Sequence, residues 1–314
     1  MRIPPAVALG ALVASLASAQ STPGEWLERM NAAVSSTNYE GTVIRHQRGD
    51  PEVLKVAYKI IDGVVNEKLV SQEGNGLEFI RIGDEVHCIM PDRKKVLVEN
   101  WDNQNTLFSA LPQSEIGEAP DYDILFEGRG RVAGRNAVKL SIRPHDEFRY
   151  GHRIWLDTET AFPLRTELVG VSGELIEQIK FASIDIGNDV SSDALKPSMP
   201  LDAFTWYREP SRYQRVEVEP DWVCDDLPPG FRAVSAHTEV VDEGGASTTH
   251  IVYSDGVASV SVFIGTNGDE ALPGWSNVGT SNSYTVRDTD RHITAVGEVP
   301  GITVQRIATS MRPR

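Results

Sequence analysis

The sequence predicts a mainly β chain in two parts: a large antiparallel half-barrel packed on helices, then a small C-terminal α/β domain. Three observations predict it. Short β-rich runs recur between turn residues from Thr42 to Phe181. A single strong helix-start signal stands before them. A Pro-, Ser- and Asp-rich stretch from Ile186 to Tyr213 then separates this rhythm from a second pattern. A curved sheet with helices on its open side is the arrangement that buries one face of so many consecutive strands.

The helix comes first. Thr22 is a capping residue, Pro23 suits the first helical position, and Glu25 completes a capping box. Trp26, Leu27, Met30, Ala33 and Val34 then recur on one helical face. From Thr42 the period shortens. Thr42 to Arg48, Val53 to Ile61, Val65 to Gln72, Leu77 to Ile82, Glu85 to Met90 and Val96 to Glu99 read as strands. Turns such as Asp62-Gly63 and Gly83-Asp84 part them. Asn100 to Pro120 interrupts the meander with Trp101, Leu107, Phe108 and Leu111, as a loop with a short helix. Strands resume at Tyr122 to Glu127, Ala137 to Arg143, His152 to Asp157, Leu164 to Val169 and Leu175 to Phe181, about eleven in all.

The second pattern opens at Pro228-Pro229-Gly230. Strands are expected near Phe231 to His237, His250 to Ser254, Ala258 to Ile264 and Ile293 to Gly297. A helix from about Pro300 to Met311 follows, with Ile302, Ile307 and Met311 facing inward. The expected division is a leader at 1–19, a large domain at 20–195, a linker at 196–215 and a small domain at 216–314.

Arg2, the apolar stretch Ile3 to Leu16 and the small-x-small Ala17-Ser18-Ala19 have the layout of a cleavable secretory signal. The apolar stretch is too short to span a bilayer. Cleavage would leave 295 residues from Gln20, with no Cys at the new N-terminus to carry a lipid anchor. The chain's formal charge is −15. Lys is absent after Lys196, and from Val216 onward there are 14 acids against 6 Arg. No basic cluster exists to follow a phosphate backbone, so nucleic acid is not an expected partner. The acidic C-terminal part is either a solvated face or an attractor for a basic partner segment. Cys88 and Cys224 lie 136 positions apart, and export permits but does not require their pairing.

Catalytic constellations are missing. Gly170-Val171-Ser172-Gly173 carries Glu174 where a nucleophile elbow needs Gly, and it falls between two strands. Gly128 to Gly134 has the wrong spacing for a dinucleotide loop. His145, Asp146 and His152 lack compact ligand spacing, so neither metal nor cofactor is expected. His87 and Cys88 are strand neighbours pointing to opposite faces. A binding protein, not an enzyme, is the expectation.

Several motifs carry a family resemblance. They are Tyr39-Glu40-Gly41, Ile154 to Thr160 with Pro163-Leu164-Arg165, and Glu177-Gln178 before Phe181. In the C-terminal part they are Leu227-Pro228-Pro229-Gly230-Phe231, Tyr253-Ser254-Asp255-Gly256 with Ala258 to Val262, and Val296 to Pro300 leading into Arg306-Ile307-Ala308. Across essentially the whole mature chain these resemble the MucB/RseB family of periplasmic sigma-E regulators. The first set also resembles the LolA/LolB-type lipoprotein-binding fold.

The resemblance implies a periplasmic negative regulator. It would bind the periplasmic region of a membrane-anchored anti-sigma factor, shield it from proteolysis, and let go in response to lipopolysaccharide or mislocalised lipoprotein. It also implies a homodimer or larger assembly. A lipoprotein carrier or lipid-binding protein is the alternative; it would lack the C-terminal hundred residues. Lipid-facing candidates on the concave face are Val86, Cys88, Trp101, Leu107, Phe108, Tyr122, Ile124 and Phe126. The other reading of these residues is simple core beneath the first helix. Partner-facing candidates are Tyr253, Ser254, Asp255 and Gly256, in the part a carrier lacks. The acidic, Lys-poor small domain and the insertion around Trp101 depart from the family pattern.

Overall fold

The computed structural model describes residues 21–47, 51–100, 107–108, 111–112, 120–208, 213–217, 219–241, 247–266, 272–288 and 291–314. The expected signal segment and Trp101 lie outside the described residues.

Helix α1 (Pro23–Ser36) starts as its sequence dictates. The Glu25 amide donates to Thr22 Oγ1 at 3.3 Å, and the Thr22 amide donates to Glu25 Oε2 at 2.8 Å. Its apolar stripe buries Trp26, Leu27, Met30 and Ala33. Two meanders follow. The first is β1 (Tyr39–Gln47), β2 (Glu52–Ile61), β3 (Val64–Ser71), β4 (Glu78–Ile82), β5 (Glu85–Met90) and β6 (Lys95–Asn100). The second is β7 (Tyr122–Val132), β8 (Arg135–Pro144), β9 (Gly151–Asp157), β10 (Pro163–Val169) and β11 (Leu175–Ile186). Strand β1 pairs antiparallel with β11, so the meanders join into one sheet. Gly41 is required at that seam, since a Cβ there would sit 2.4 Å from the Ser183 carbonyl oxygen.

A twelfth strand, β12 (Thr205–Arg208), completes the sheet by running parallel to β6. The segment leading to it crosses the outer face. Buried Lys68 donates to the Lys196 carbonyl at 2.5 Å and to Ser198 Oγ at 2.9 Å. Leu201 and Phe204 pack on Ile80, Ile89, Val96 and Val98. The stretch read as a linker therefore holds a strand of the large sheet. Its composition shows no period, yet two apolar residues suffice to seat it.

The other face holds α1. Trp26, Leu27 and Met30 pack on Leu140, Ile142, Ile154 and Leu156. Beside them, Tyr39, Tyr58, Phe108, Phe162 and Phe181 form an aromatic cluster. Tyr39 stacks on Tyr58 at 5.2 Å and meets Phe162 at 4.7 Å.

The C-terminal unit comprises β13 (Tyr213–Glu217), β14 (Trp222–Cys224), β15 (Arg232–Val241), β16 (Ser247–Ser254), β17 (Ser259–Thr266), β18 (Gly274–Val278), β19 (Ser281–Asp288), β20 (Arg291–Gly297), α2 (Gly301–Thr309) and β21 (Met311–Pro313). Seven strands form an antiparallel sheet in the order β13-β15-β16-β17-β20-β19-β18, and β14 pairs with β21. Helix α2 buries Thr303, Val304, Ile307 and Ala308. Ile307 and Met311 are inside as expected, but Ile302 is 44% exposed. Ile302 lies five residues, about 140° around the helix, from Ile307, so Thr303 and Val304 share the inward side instead. No described helix is long and apolar enough to cross a membrane.

Candidate functional site

The two units meet around Arg149, on the loop between β8 and β9. Its side chain is 0% exposed. Nε donates to Asp255 Oδ2 at 2.5 Å, Nη1 donates to Asp146 Oδ2 at 2.6 Å, and Nη2 donates to the Pro229 carbonyl. The guanidinium lies between the rings of Tyr122 and Phe231, at 5.4 and 5.3 Å. Arginine suits such a place because its planar fork stacks and donates in several directions at once.

Asp255 divides its carboxylate. Oδ1 accepts the amides of Val257 and Ala258, both at 2.8 Å, which sets the turn between β16 and β17. Oδ2 accepts from Arg149 and from the Tyr122 hydroxyl, the latter at 2.7 Å. Burial, reinforced by the Asp255 charge, pushes the Tyr122 phenol far above its ordinary range. Gly230 has φ +77, and a Cβ there would lie 2.3 Å from Asp121 Oδ2. The Pro228-Pro229-Gly230 turn thus needs its glycine to bring the Pro229 carbonyl to Arg149.

Further contacts close the seam. Asn282 Nδ2 donates to Tyr150 Oη at 3.0 Å, and Thr303 Oγ1 donates to the Phe148 carbonyl at 2.7 Å. Val257 packs on the cluster beneath α1. A small cavity of about 30 Å³ is lined by Leu107, Phe108, Leu111, His152, Glu177 and Glu298, among others. Loss of solvent pushes His152 down to about 4, against the pull of Asp255. Burial raises Glu298, and Glu177 adds to this, while the Thr280 hydroxyl opposes it.

The concave face carries a row set by strand register: Tyr39, Tyr58, Glu67, Arg81 and Val86 stand side by side on β1 to β5. Cross-strand partners share one face. Glu67 is 3% exposed, and burial raises its carboxyl to about 7 although Arg81 and the Leu107 amide favour the charged form. A parallel row places Val56, Leu69, Phe79 and Cys88 on the same face.

The seven described lipid-facing candidates fall in two adjoining clusters, both of which Val34 and Leu111 touch, and on the strands beside them. Leu107 and Phe108 join the aromatic cluster with Leu111, and Val86 and Cys88 extend the same face at β5. Tyr122 and Ile124 belong to the cluster beneath α1, and Phe126 is 37% exposed on the edge strand β7. Trp101 lies outside the described residues. Cys88 and Cys224 are both free thiols, each raised chiefly by burial.

Of the four partner-facing candidates, Tyr253 is 3% exposed and its hydroxyl meets Met311 Sδ at 3.7 Å. Ser254 is buried and donates to the Ala258 carbonyl at 2.9 Å. Asp255 is spent on the seam, so Gly256 is the one exposed member. The turn motif is an internal device as it stands, and Arg149 is the residue sequence reasoning missed. Two of its partners, Asp255 and the Pro-Pro-Gly turn, stand in the family motifs.

Comparison with known proteins places this architecture. The family model described as the MucB/RseB N-terminal domain matches residues 22–199, and the one described as the MucB/RseB C-terminal domain matches 216–312. The sigma factor AlgU regulatory protein MucB of Pseudomonas aeruginosa is 30% identical over 314 residues, covering 97% of this chain and 95% of that one. The sigma-E factor regulatory protein RseB of Escherichia coli K12 is 28% identical over 310 residues, covering 96% and 94%. Among solved structures, the Pseudomonas aeruginosa MucA/MucB complex matches with a TM-score of 0.69 at 26% identity, covering 93% of this chain and 99% of that one. MucB in complex with MucA(peri) matches at 0.67 and 25%, with the same coverage. With both family models matching in order, this chain belongs to the MucB/RseB family.

Proposed function

We propose that this chain is a periplasmic negative regulator of a sigma-E-type envelope stress response. It binds the periplasmic region of a membrane-anchored anti-sigma factor and shields that region from proteolysis. The observation that carries this reading is the full-length likeness to MucB, which has been solved with the periplasmic part of MucA. Relatives carrying both units are named as regulators, which favours binding over turnover. Residues 1–19 supply export.

Lipid release is the second half of the proposal. An acyl chain of lipopolysaccharide or lipoprotein enters the concave face near Leu107 and Phe108, each buried methylene contributing ~0.8 kcal/mol. Those residues also line the cavity that Glu298 closes from the small unit. Lipid there changes the fit between the units, and the partner, held by the small unit and the adjoining seam, is let go. A tenfold loss of partner affinity corresponds to a coupling of ~1.4 kcal/mol, and lipid must then bind the complex tenfold more weakly.

The test is calorimetric titration of the mature chain with the periplasmic segment of its cognate anti-sigma factor, with and without lipopolysaccharide. Binding that weakens with lipid supports the reading. A chain that binds no such segment refutes it, and one that binds equally with lipid present loses the lipid half alone.

A further inference from the structure

The sheet of the small unit packs one face on α2. Ile251, Tyr253, Val260, Val262, Ile264, Ile293 and Ala295 form its core with α2. The alternate residues face the other way. His237 and His250 are among these, and they are direct partners across β15 and β16.

Their rings are held close and crossed. His250 Nδ1 lies 3.3 Å from His237 Nε2, with the ring planes at 79°. That separation is within hydrogen-bond reach, with the donor set by the tautomer. It equals the edge of a tetrahedron around zinc, about 3.3 Å for metal–nitrogen bonds of about 2.0–2.1 Å. His250 is fixed from its other side by stacking on Phe263 at 4.3 Å and 15°. His237 is buried and His250 half-buried.

From this geometry we infer that His237 Nε2 and His250 Nδ1 form a binding site for a divalent transition metal such as Zn²⁺, with water completing the coordination. Imidazole nitrogen is a preferred donor for such ions. The ring that donates to its neighbour moves its proton to its own outer nitrogen, so both facing nitrogens offer lone pairs and the neutral pair releases no proton. The chain's net charge of −15 favours a bound cation. Among the described residues no group of three or more ligands gathers around an ion. With two ligands among the described residues, the site differs from a closed four-ligand structural zinc site. Its structural effect is to tie β15 to β16, the strand that runs on to Asp255.

The experiment is isothermal titration of chelator-treated mature protein with ZnCl₂, paired with thermal unfolding in the same buffer. Wild type should bind one zinc and unfold at a higher temperature with it. His237→Asn and His250→Asn should each lose at least tenfold in affinity and lose the thermal shift. His292→Asn should keep both, because His292 lies two strands over and two residues along from His250, roughly 12 Å away. His250→Ala, at the less buried ring, serves if His237→Asn fails to fold. Wild type that binds no zinc, or His250 variants that bind as wild type does, would overturn the site.

Discussion

Arg149 Nε lies 2.5 Å from Asp255 Oδ2, and the two side chains are 0% and 2% exposed. The pair joins the β8–β9 loop of one unit to the β16–β17 turn of the other, with water excluded from both charges. Asp146 and Asp121 stand at 2.6 and 3.7 Å from the same guanidinium, so carboxylates outnumber the cation.

Removing the cation alone leaves buried Asp255, and half-buried Asp146 and Asp121 beside it, without their counter-charge. Arg149→Met is expected to cost ~3–5 kcal/mol, the range for breaking one side of a buried pair. Arg149→Met with Asp255→Leu should cost less than the two single changes added together. Urea unfolding of the four proteins measures the coupling, and strict additivity would show that the contact carries no mutual energy.

Glu67 should make stability pH-dependent. Its carboxyl is raised from 4.5 to about 7 in the folded chain, chiefly by burial. The folded state therefore holds a proton that the unfolded state has released. The resulting stabilisation is full below about pH 4.5 and disappears as pH rises through about 7. Its size is on the order of 3 kcal/mol. Glu67→Gln should be more stable than wild type at pH 8 and little different at pH 4.5. Parallel wild-type and variant curves across this interval would contradict the raised carboxyl.

Two phenylalanines should respond very differently to truncation. Phe162 is 0% exposed and meets Tyr39, Phe108 and Phe181. Phe162→Ala should cost ~3–5 kcal/mol through the cavity it leaves. Phe126 stands 37% exposed on an edge strand, and Phe126→Ala should cost under ~1 kcal/mol. Denaturant midpoints at constant slope separate the two.

Trypsin should divide the chain where it passes between sheets. Strand β12 ends at Arg208 and β13 begins at Tyr213, with Arg212 between them. Limited digestion of the mature protein is expected to give fragments of about 190 and about 100 residues. A first cut inside either sheet would show that the division lies elsewhere.

Local chemistry made the large unit readable. The Thr22 to Glu25 cap and the Asp62-Gly63 turn act over a few residues, so helix α1 and the β2–β3 hairpin follow from the sequence directly. Strand β18 was not legible, because Gly274-Trp275-Ser276-Asn277-Val278 has one β-branched residue and no alternation. Its strand state comes from pairing with β19. Strand β12 was missed for the same kind of reason, its partner β6 lying about a hundred positions earlier. Arg149 sits in the polar run His145 to Tyr150, and its partner Asp255 arrives 106 residues later. Family motifs pointed to Asp255 and Gly230 as special, but only the folded chain shows that both serve one guanidinium.

The parallel seating of β12 on β6 also fixes a length. The large unit holds its chain as far as Arg208, and the small unit takes it up at Tyr213. Five peptide steps span roughly 17 Å at full extension. When the Arg149 contact opens, the two faces therefore stay on a short leash. Each encounters the other at high local concentration, and reclosing is a first-order event independent of how much protein is present. Opening is brief unless something fills the gap. A ligand that enters it competes with a tethered surface and not with a free one, so its affinity for the protein would rise as that leash is lengthened.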